Sequence, residues 1–137
     1  MPHCAILGDS LAAGVASFRP DCVTDTQVGI TSTRYAAGHL MAVTADTALI
    51  SLGVNDGEPS MATIETLVRL RAGVQSRQVY WLLPARPEAT RSLIRDVAHT
   101  FGDRLIETRG FTGPDGLHLR TTAYQDVASV FDLPLPP

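Results

Sequence analysis

Residues 4–10 read CAILGDS, an apolar run that ends in a glycine and two polar residues. Such a run is typical of a buried β-strand followed by a turn. From Leu11 onward, apolar residues recur at helical spacing until Pro20, which cannot continue a helix. The beginning of the chain therefore predicts a buried strand that leads into a helix, with Ser10 at the turn between them.

The same alternation of strand and helix repeats along the chain. Two further apolar runs predict strands at residues 47–52 and 79–83, and a weaker strand at 22–28 and a short one at 104–107 complete the set. Apolar residues at helical spacing predict a helix in each segment between the strands and after the last one. Ser60 is a plausible N-cap of the third helix, and Pro87 and Gly102 bound the fourth. The apolar residues of helices two to five are, in chain order, Tyr35, Ala36, Leu40 and Met41; Met61, Ile64, Leu67, Val68 and Val74; Leu93, Ile94, Val97, Ala98 and Phe101; and Tyr124, Val127, Ala128 and Phe131. Five strands alternating with five helices predict an α/β fold, a three-layer α/β/α sandwich around a five-stranded parallel sheet.

Length and composition limit the classes of protein that fit. The 137 residues, 45% of them hydrophobic and 18% charged, predict a single globular domain over residues 1–137, with a Pro-rich C-terminal tail at 131–137. The net charge of −3 argues against a nucleic-acid or anionic-membrane partner, which would attract a basic face. Without a signal-like start or an apolar run of membrane length, we expect a cytoplasmic protein with no membrane insertion.

All eleven basic residues are arginine, and the chain contains no lysine. This excludes a Walker-type phosphate loop and Schiff-base chemistry, which both need a lysine. Asp9 and Asp56 follow the first and third strands, as acids do in phospho-acceptor domains, but that class also needs a lysine after the fifth strand. A flavin or dinucleotide site is disfavoured because the Asp9 carboxylate stands where a phosphate would bind.

The chain has two cysteines, Cys4 and Cys22. Their spacing is not that of a metal site, and no cluster of histidines accompanies them. For a protein expected in the cytosol, two buried thiols are favoured over a disulfide, although both residues lie near the starts of neighbouring predicted strands. We predict no metal and no cofactor.

Five residues with complementary chemistry follow the predicted strands. They are Ser10, Gly29, Asn55, Asp115 and His118. In parallel sheets, ligand sites lie beyond the carboxyl ends of the strands, so these residues are expected to meet on one rim. His118 can remove the proton of the Ser10 hydroxyl, and Asp115, three residues before His118, can fix the tautomer of its imidazole. The backbone amides of Ser10 and Gly29 and the side-chain amide of Asn55 could stabilise an oxyanion.

Four segments resemble the sequence blocks of one family, the SGNH or GDSL-type serine hydrolases. Residues 8–11 read GDSL, Gly29 matches the glycine of the second block, residues 53–56 read GVND, and residues 115–118 read DGLH. One such block alone is weak, but four in order at strand ends cover almost the whole chain. The resemblance implies a flavodoxin-like SGNH-hydrolase fold. It also implies a catalytic triad of Ser10, His118 and Asp115 and an oxyanion hole formed by Ser10, Gly29 and Asn55, with Asp9 and Asp56 in supporting roles.

Each of these residues also has an ordinary structural interpretation. Ser10 alone would fit a helix N-cap, and Gly29 could simply end a strand. Asn55 could be a turn residue, and Asp115 and His118 could belong to a surface turn. We expect Asp9 to fix the turn at Ser10 without taking part in proton transfer.

The resemblance implies a serine hydrolase that cleaves carboxylic esters through an acyl-enzyme intermediate. A chain this short leaves little for a lid, so we expect an open pocket, a preference for acetyl and other small acyl groups, and a small-molecule or carbohydrate ester as substrate. The alternatives are a catalytically silent binding module with this fold and a thioesterase or lysophospholipase of the same family. Oligomeric state cannot be predicted from the sequence.

Overall fold

The computed structural model describes residues 2–137, which form five strands and five α-helices. The strands are β1 (Cys4–Gly8), β2 (Val23–Thr26), β3 (Val43–Ser51), β4 (Val74–Leu83) and β5 (Arg104–Glu107). The α-helices are α1 (Ser10–Ala16), α2 (Ser32–Gly38), α3 (Met61–Gly73), α4 (Glu88–Phe101) and α5 (Thr121–Ala128), with short 3₁₀-helices at Val54–Asp56 and Ser129–Asp132. All strand pairs are parallel, in the order β2-β1-β3-β4-β5. The predicted α/β fold is confirmed.

Two apolar cores hold helices on the two faces of the sheet. One core contains Tyr35 of α2, Leu67 and Leu70 of α3, and Ile94 and Val97 of α4. The other joins α1 to the end of the chain, where the side chains that pack against the sheet include Leu11, Val15, Ala128 and Phe131. Burial on both faces explains why β1 and the later parts of β3 and β4 read as continuous apolar runs. Within residues 2–137, no helix is long and apolar enough to cross a membrane.

The order in which successive strands are added to the sheet reverses at β1, which pairs with β2 on one side and β3 on the other. In open α/β sheets this switch point opens a crevice beyond the carboxyl ends of the strands. The chain leaves β1 at Gly8, whose φ is +135°, and a Cβ there would lie 1.7 Å from the carbonyl oxygen of Ser51. Only glycine fits there. The next N–H, from Asp9, donates to that same Ser51 oxygen at 2.8 Å.

Several elements differ in extent from the predicted ones. β3 begins at Val43 and β4 at Val74, four and five residues earlier than predicted, and Val74 belongs to the strand instead of the preceding helix. Pairing extends across these residues because Val43 lies opposite Val74. α2 ends at Gly38, before Leu40, because the Leu40 N–H donates to the Asp25 carboxylate at 2.7 Å and turns the chain toward β3.

The prediction of two free thiols is wrong, because Cys4 and Cys22 form a disulfide. Parallel pairing of β1 with β2 sets Ala5 opposite Val23. The residues just before that pair are therefore neighbours, with their Cα atoms 4.8 Å apart, a separation that a disulfide can bridge. The prediction rested on an expected compartment, which carries no information about the proximity that strand pairing creates.

Candidate active site

Ser10 is the first residue of α1 and lies at the switch point of the sheet, partly exposed. It is not the N-cap of this helix. That position belongs to Asp9, whose Oδ1 accepts a hydrogen bond from the Leu11 N–H at 3.1 Å. The Ser10 hydroxyl therefore takes no part in capping and faces His118, with 2.9 Å between its Oγ and the Nε2 of the imidazole.

Asp115 lies on the opposite side of the imidazole from Ser10. Its Oδ2 is 2.6 Å from His118 Nδ1, and its Oδ1 accepts hydrogen bonds from the N–H groups of Leu117 and His118, both at 2.9 Å. The hydrogen bond from the His118 side chain, followed by that from the Leu117 N–H, lowers the pKa of Asp115 to about 2. Asp115 is thus a carboxylate at neutral pH, able only to accept hydrogen bonds.

The charge of Asp115 determines how the proton of the neutral imidazole is placed. Because the carboxylate accepts from Nδ1, the neutral ring carries its hydrogen on Nδ1 and a lone pair on Nε2. Nε2 therefore accepts the hydrogen bond of the Ser10 hydroxyl. The three side chains form one directional hydrogen-bond chain along which a proton can move from Ser10 to His118.

A compact loop after β5 carries Asp115 and His118. The Gly113 N–H donates to the His118 carbonyl at 2.8 Å, and Thr112 pairs with Leu119 in an antiparallel bridge just outside that bond. Within the loop, the Gly116 N–H donates to the Gly113 carbonyl at 3.1 Å. These bonds fix the three-residue spacing of Asp115 and His118 in a closed turn, which brings both side chains to the same edge as Ser10.

Gly29 and Asn55 lie on the side of the rim next to β2. Gly29 has a φ of +75° in a turn closed by the Ile30 N–H, which donates to the Gln27 carbonyl at 3.4 Å. That bond leaves the Gly29 N–H unused by the turn. Asn55 reaches this turn, because its Nδ2 donates to the Ile30 carbonyl at 3.0 Å. The structure thus joins Asn55 to the residue that follows Gly29, and a second hydrogen on Nδ2 remains available.

Two buried or half-buried acids hold the loops of the rim. Asp9 is fully buried and also accepts from the Ser51 hydroxyl at 2.8 Å, which ties the end of β1 to the end of β3. Asp56 accepts from the N–H of Ser32 at 2.7 Å, from the Ser32 hydroxyl, and from the Thr63 hydroxyl at 2.7 Å. The loop that contains Asn55 is therefore fastened to the starts of α2 and α3.

Arg86 is a rim residue whose contact cannot be derived from the sequence motifs. Its Nη1 donates to the backbone carbonyl of Asp115 at 2.9 Å, so it holds the loop that carries Asp115 and His118. A Cβ on Gly116 would lie 2.8 Å from the same Nη1, which shows how closely the guanidinium crosses this loop. The sequence signal for Arg86 is only its position after β4, at the same edge of the sheet.

The comparisons with known proteins show a similarity of fold. No protein-family model and no curated protein matches the sequence. A solved structure does match: the C-terminal catalytic domain of Streptococcus pneumoniae peptidoglycan O-acetyltransferase A (OatA), determined with a methylsulfonyl adduct. The two share 14% sequence identity with a TM-score of 0.52, over 94% of this chain and 89% of that one. At this identity the likeness shows the fold alone, an α/β sandwich around a five-stranded parallel sheet.

Proposed function

We propose that this protein is a serine-dependent acyl-transfer enzyme that cleaves carboxylic esters through an acyl-enzyme intermediate on Ser10. The observation that carries this proposal is the hydrogen-bond chain from Ser10 Oγ to His118 Nε2, at 2.9 Å, and from His118 Nδ1 to Asp115 Oδ2, at 2.6 Å. A serine hydroxyl is a weak nucleophile unless a positioned base takes its proton, and this geometry supplies that base and its orienting carboxylate.

In the first half-reaction, Ser10 Oγ attacks the ester carbonyl carbon while His118 Nε2 takes the hydroxyl proton. The carbonyl π electrons move to oxygen and form a tetrahedral oxyanion. When this intermediate collapses, the bond to the leaving alcohol breaks and His118 returns the proton to the alcohol oxygen. Asp115 stays ionised throughout and stabilises the imidazolium that forms in between.

The oxyanion needs hydrogen-bond donors that are already in place. We assign this role to the backbone N–H groups of Ser10 and Gly29 and to Asn55 Nδ2. The contact from Asn55 to the Ile30 carbonyl fixes the amide, so that its other hydrogen is directed without further ordering. Asp56 supports this arrangement through its bonds to Ser32 and Thr63.

In the second half-reaction, an acceptor hydroxyl attacks the acyl carbon while His118 Nε2 takes its proton. When the tetrahedral intermediate collapses, the bond from the acyl carbon to Ser10 Oγ breaks and His118 returns the proton to Oγ. If the acceptor is water, the enzyme is an esterase, which we propose as its activity. If it is an alcohol, the enzyme is an acyltransferase. The fold similarity to an O-acetyltransferase domain makes this the second candidate, and the open site, where the His118 and Asp115 side chains are 46% and 52% exposed, gives room to either acceptor.

We further propose that small acyl groups, acetyl first, are the preferred acyl part of the substrate, on a small polar or carbohydrate alcohol. The exposed side chains of His118 and Asp115 support this, since an open site offers little apolar surface to a long acyl chain. A longer chain, as in the thioesterase or lysophospholipase alternative, would need an apolar site. The candidate for such a site is a cavity of about 290 Å³ behind the loop that carries Asp115 and His118, lined in part by Phe111, Leu119 and Val127. Rates on p-nitrophenyl esters from acetate to decanoate test this preference. The highest rate on acetate supports a small acyl group, whereas rates that climb steadily toward decanoate would refute it.

Labelling with a fluorophosphonate probe tests the proposed function. An activated Ser10 is expected to attack the phosphorus and release fluoride, which leaves a stable adduct that mass spectrometry maps to the tryptic peptide containing Ser10. The Ser10→Ala variant should not be labelled. A protein with a native circular dichroism spectrum that takes up no probe would instead be the silent binding module.

Asn55→Ala is expected to lower kcat for p-nitrophenyl acetate by about two to three orders of magnitude, the effect of losing one oxyanion donor. The variant also loses the contact to the Ile30 carbonyl, so the free energy of unfolding has to be measured alongside. Labelling of Ser10 by the fluorophosphonate should still occur, because the hydroxyl and its base are intact. A kcat within a factor of about three of the wild type would remove Asn55 from the oxyanion hole.

A further inference from the structure

A polar depression of about 410 Å³ lies between the end of β2 and α2, on the opposite side of the rim from the His118 loop. It is lined by Gln27, Ile30, Arg34, Ala37, Gly38 and His39. Gln27 and Ile30 are the two residues whose hydrogen bond closes the turn that presents Gly29. The depression therefore shares a wall with the turn to which we assign an oxyanion donor.

The polar groups of the depression differ in what they already bind. His39 is fully engaged, because its Nδ1 is 2.6 Å from Asp25 Oδ1 and its Nε2 is 2.8 Å from Gln27 Oε1. The ring also stacks on Tyr35, with 4.9 Å between the ring centroids. These contacts fix the side chains of His39 and Gln27 against each other.

Arg34 is the one cation of the lining that is not neutralised. Across residues 2–137, its guanidinium forms no ion pair and no hydrogen bond, whereas the guanidinium of Arg71 is bound by Asp103 and that of Arg91 by Glu107. No carboxylate belongs to the lining, and Asp25 lies behind His39 and faces that ring. The depression thus offers a positive charge with a planar set of five donors and no competing acid.

We infer that this depression is a specificity subsite in which Arg34 binds a carboxylate carried by the alcohol part of the substrate. The inference rests on the proposed function. Because the proposed acyl group is small, the charged group must belong to the alcohol. A guanidinium binds a carboxylate through two parallel hydrogen bonds. Binding remote from the carbonyl holds the ester in position for attack by Ser10.

Paired substrates of equal shape test this subsite. The probes are 4-acetoxybenzoate and 3-acetoxybenzoate, each compared with its carboxamide analogue, which has no charge. For at least one isomer, the wild-type enzyme is expected to show kcat/KM about tenfold higher for the carboxylate than for the amide, with a smaller ratio at high salt. Arg34→Gln should bring this ratio to about one while the kcat/KM of the amide changes less than about twofold.

Arg69→Gln is the matched control, because Arg69 is an exposed arginine on α3, away from the depression. For both isomers, this variant should leave the ratio of kcat/KM for the carboxylate to kcat/KM for the amide unchanged. The inference is overturned if the wild type shows no preference for either carboxylate, or if Arg34→Gln lowers the rates of carboxylate and amide equally or leaves both as they are.

A binding measurement separates failure of the subsite from failure of the proposed function. Ser10→Ala is titrated with 4-hydroxybenzoate and 3-hydroxybenzoate, the alcohols that the probes would release, and binding is followed by NMR. Binding that disappears in Ser10→Ala/Arg34→Gln supports the subsite even if the wild type neither cleaves esters nor is labelled at Ser10. Esterase activity with equal binding to both variants would instead leave the proposed function standing and refute the subsite.

Discussion

Ser10→Ala is expected to lower kcat for p-nitrophenyl acetate by about four orders of magnitude or more, the scale seen when a triad nucleophile is removed. The reason is specific to this geometry. The Ser10 hydroxyl bonds to His118 and not to the helix it begins, since Asp9 provides the cap. The variant should therefore keep the circular dichroism spectrum and the free energy of unfolding of the wild type while losing turnover.

Two comparisons make this expectation specific. Ser92→Ala removes an exposed hydroxyl from α4 and should leave kcat unchanged. Ser10→Ala/His118→Ala should be no slower than Ser10→Ala alone, because residues that act as a unit in one proton transfer do not give additive losses. If Ser10→Ala retained more than about a tenth of the wild-type kcat, the acyl-enzyme mechanism would be wrong.

The layered architecture was predictable because β1 and the later parts of β3 and β4 are buried and read as apolar runs. Residues 104–107 were predicted as a strand and form β5 with those same bounds. The early parts of β3 and β4 could not be predicted, because residues such as Thr44 and Gln75 are polar. They are in strand conformation because they pair with each other across the two neighbouring strands. The disulfide escaped for a related reason, because it depends on the register between β1 and β2.

The candidate site also has a part that could be predicted from the sequence and a part that could not. That Ser10, Asp115 and His118 would lie together followed from the rule that strand ends meet on one rim, and the structure places them in one hydrogen-bond chain. Their catalytic roles remain a prediction. The contact of Arg86 with the Asp115 carbonyl and the unpaired guanidinium of Arg34 depend on side-chain packing between elements distant in sequence. No local spacing encodes such contacts.

Asp9 is a fully buried acid through which pH is expected to change the stability of the fold. Its side chain is buried against the switch point, where Oδ1 has two hydrogen-bond donors and Oδ2 has none within residues 2–137. Burial is the main cause that raises the pKa of Asp9 from 3.8 to about 6, against the opposing hydrogen bond from Ser51. Between these two pH values the folded protein binds more protons than the unfolded chain. The contribution of Asp9 to the free energy of unfolding is therefore present below about pH 4 and is lost as the pH rises through 6.

Asp9→Asn should remove this dependence. The amide oxygen can still accept from Leu11 and Ser51, and the NH₂ group stands where the protonated acid would hold its hydrogen. Near pH 4 the variant and the wild type are expected to unfold with similar free energies. At pH 7.5 the variant should be more stable by up to about 3 kcal/mol, the equivalent of a shift of about two pKa units. Urea denaturation from pH 4 to 8 measures the difference, and Asp96→Asn, an exposed site on α4, is the control that should show no such trend. A difference between Asp9→Asn and the wild type that stays constant over this range would mean that Asp9 is already charged at pH 4, and that Ser51 and the start of α1 compensate for its burial.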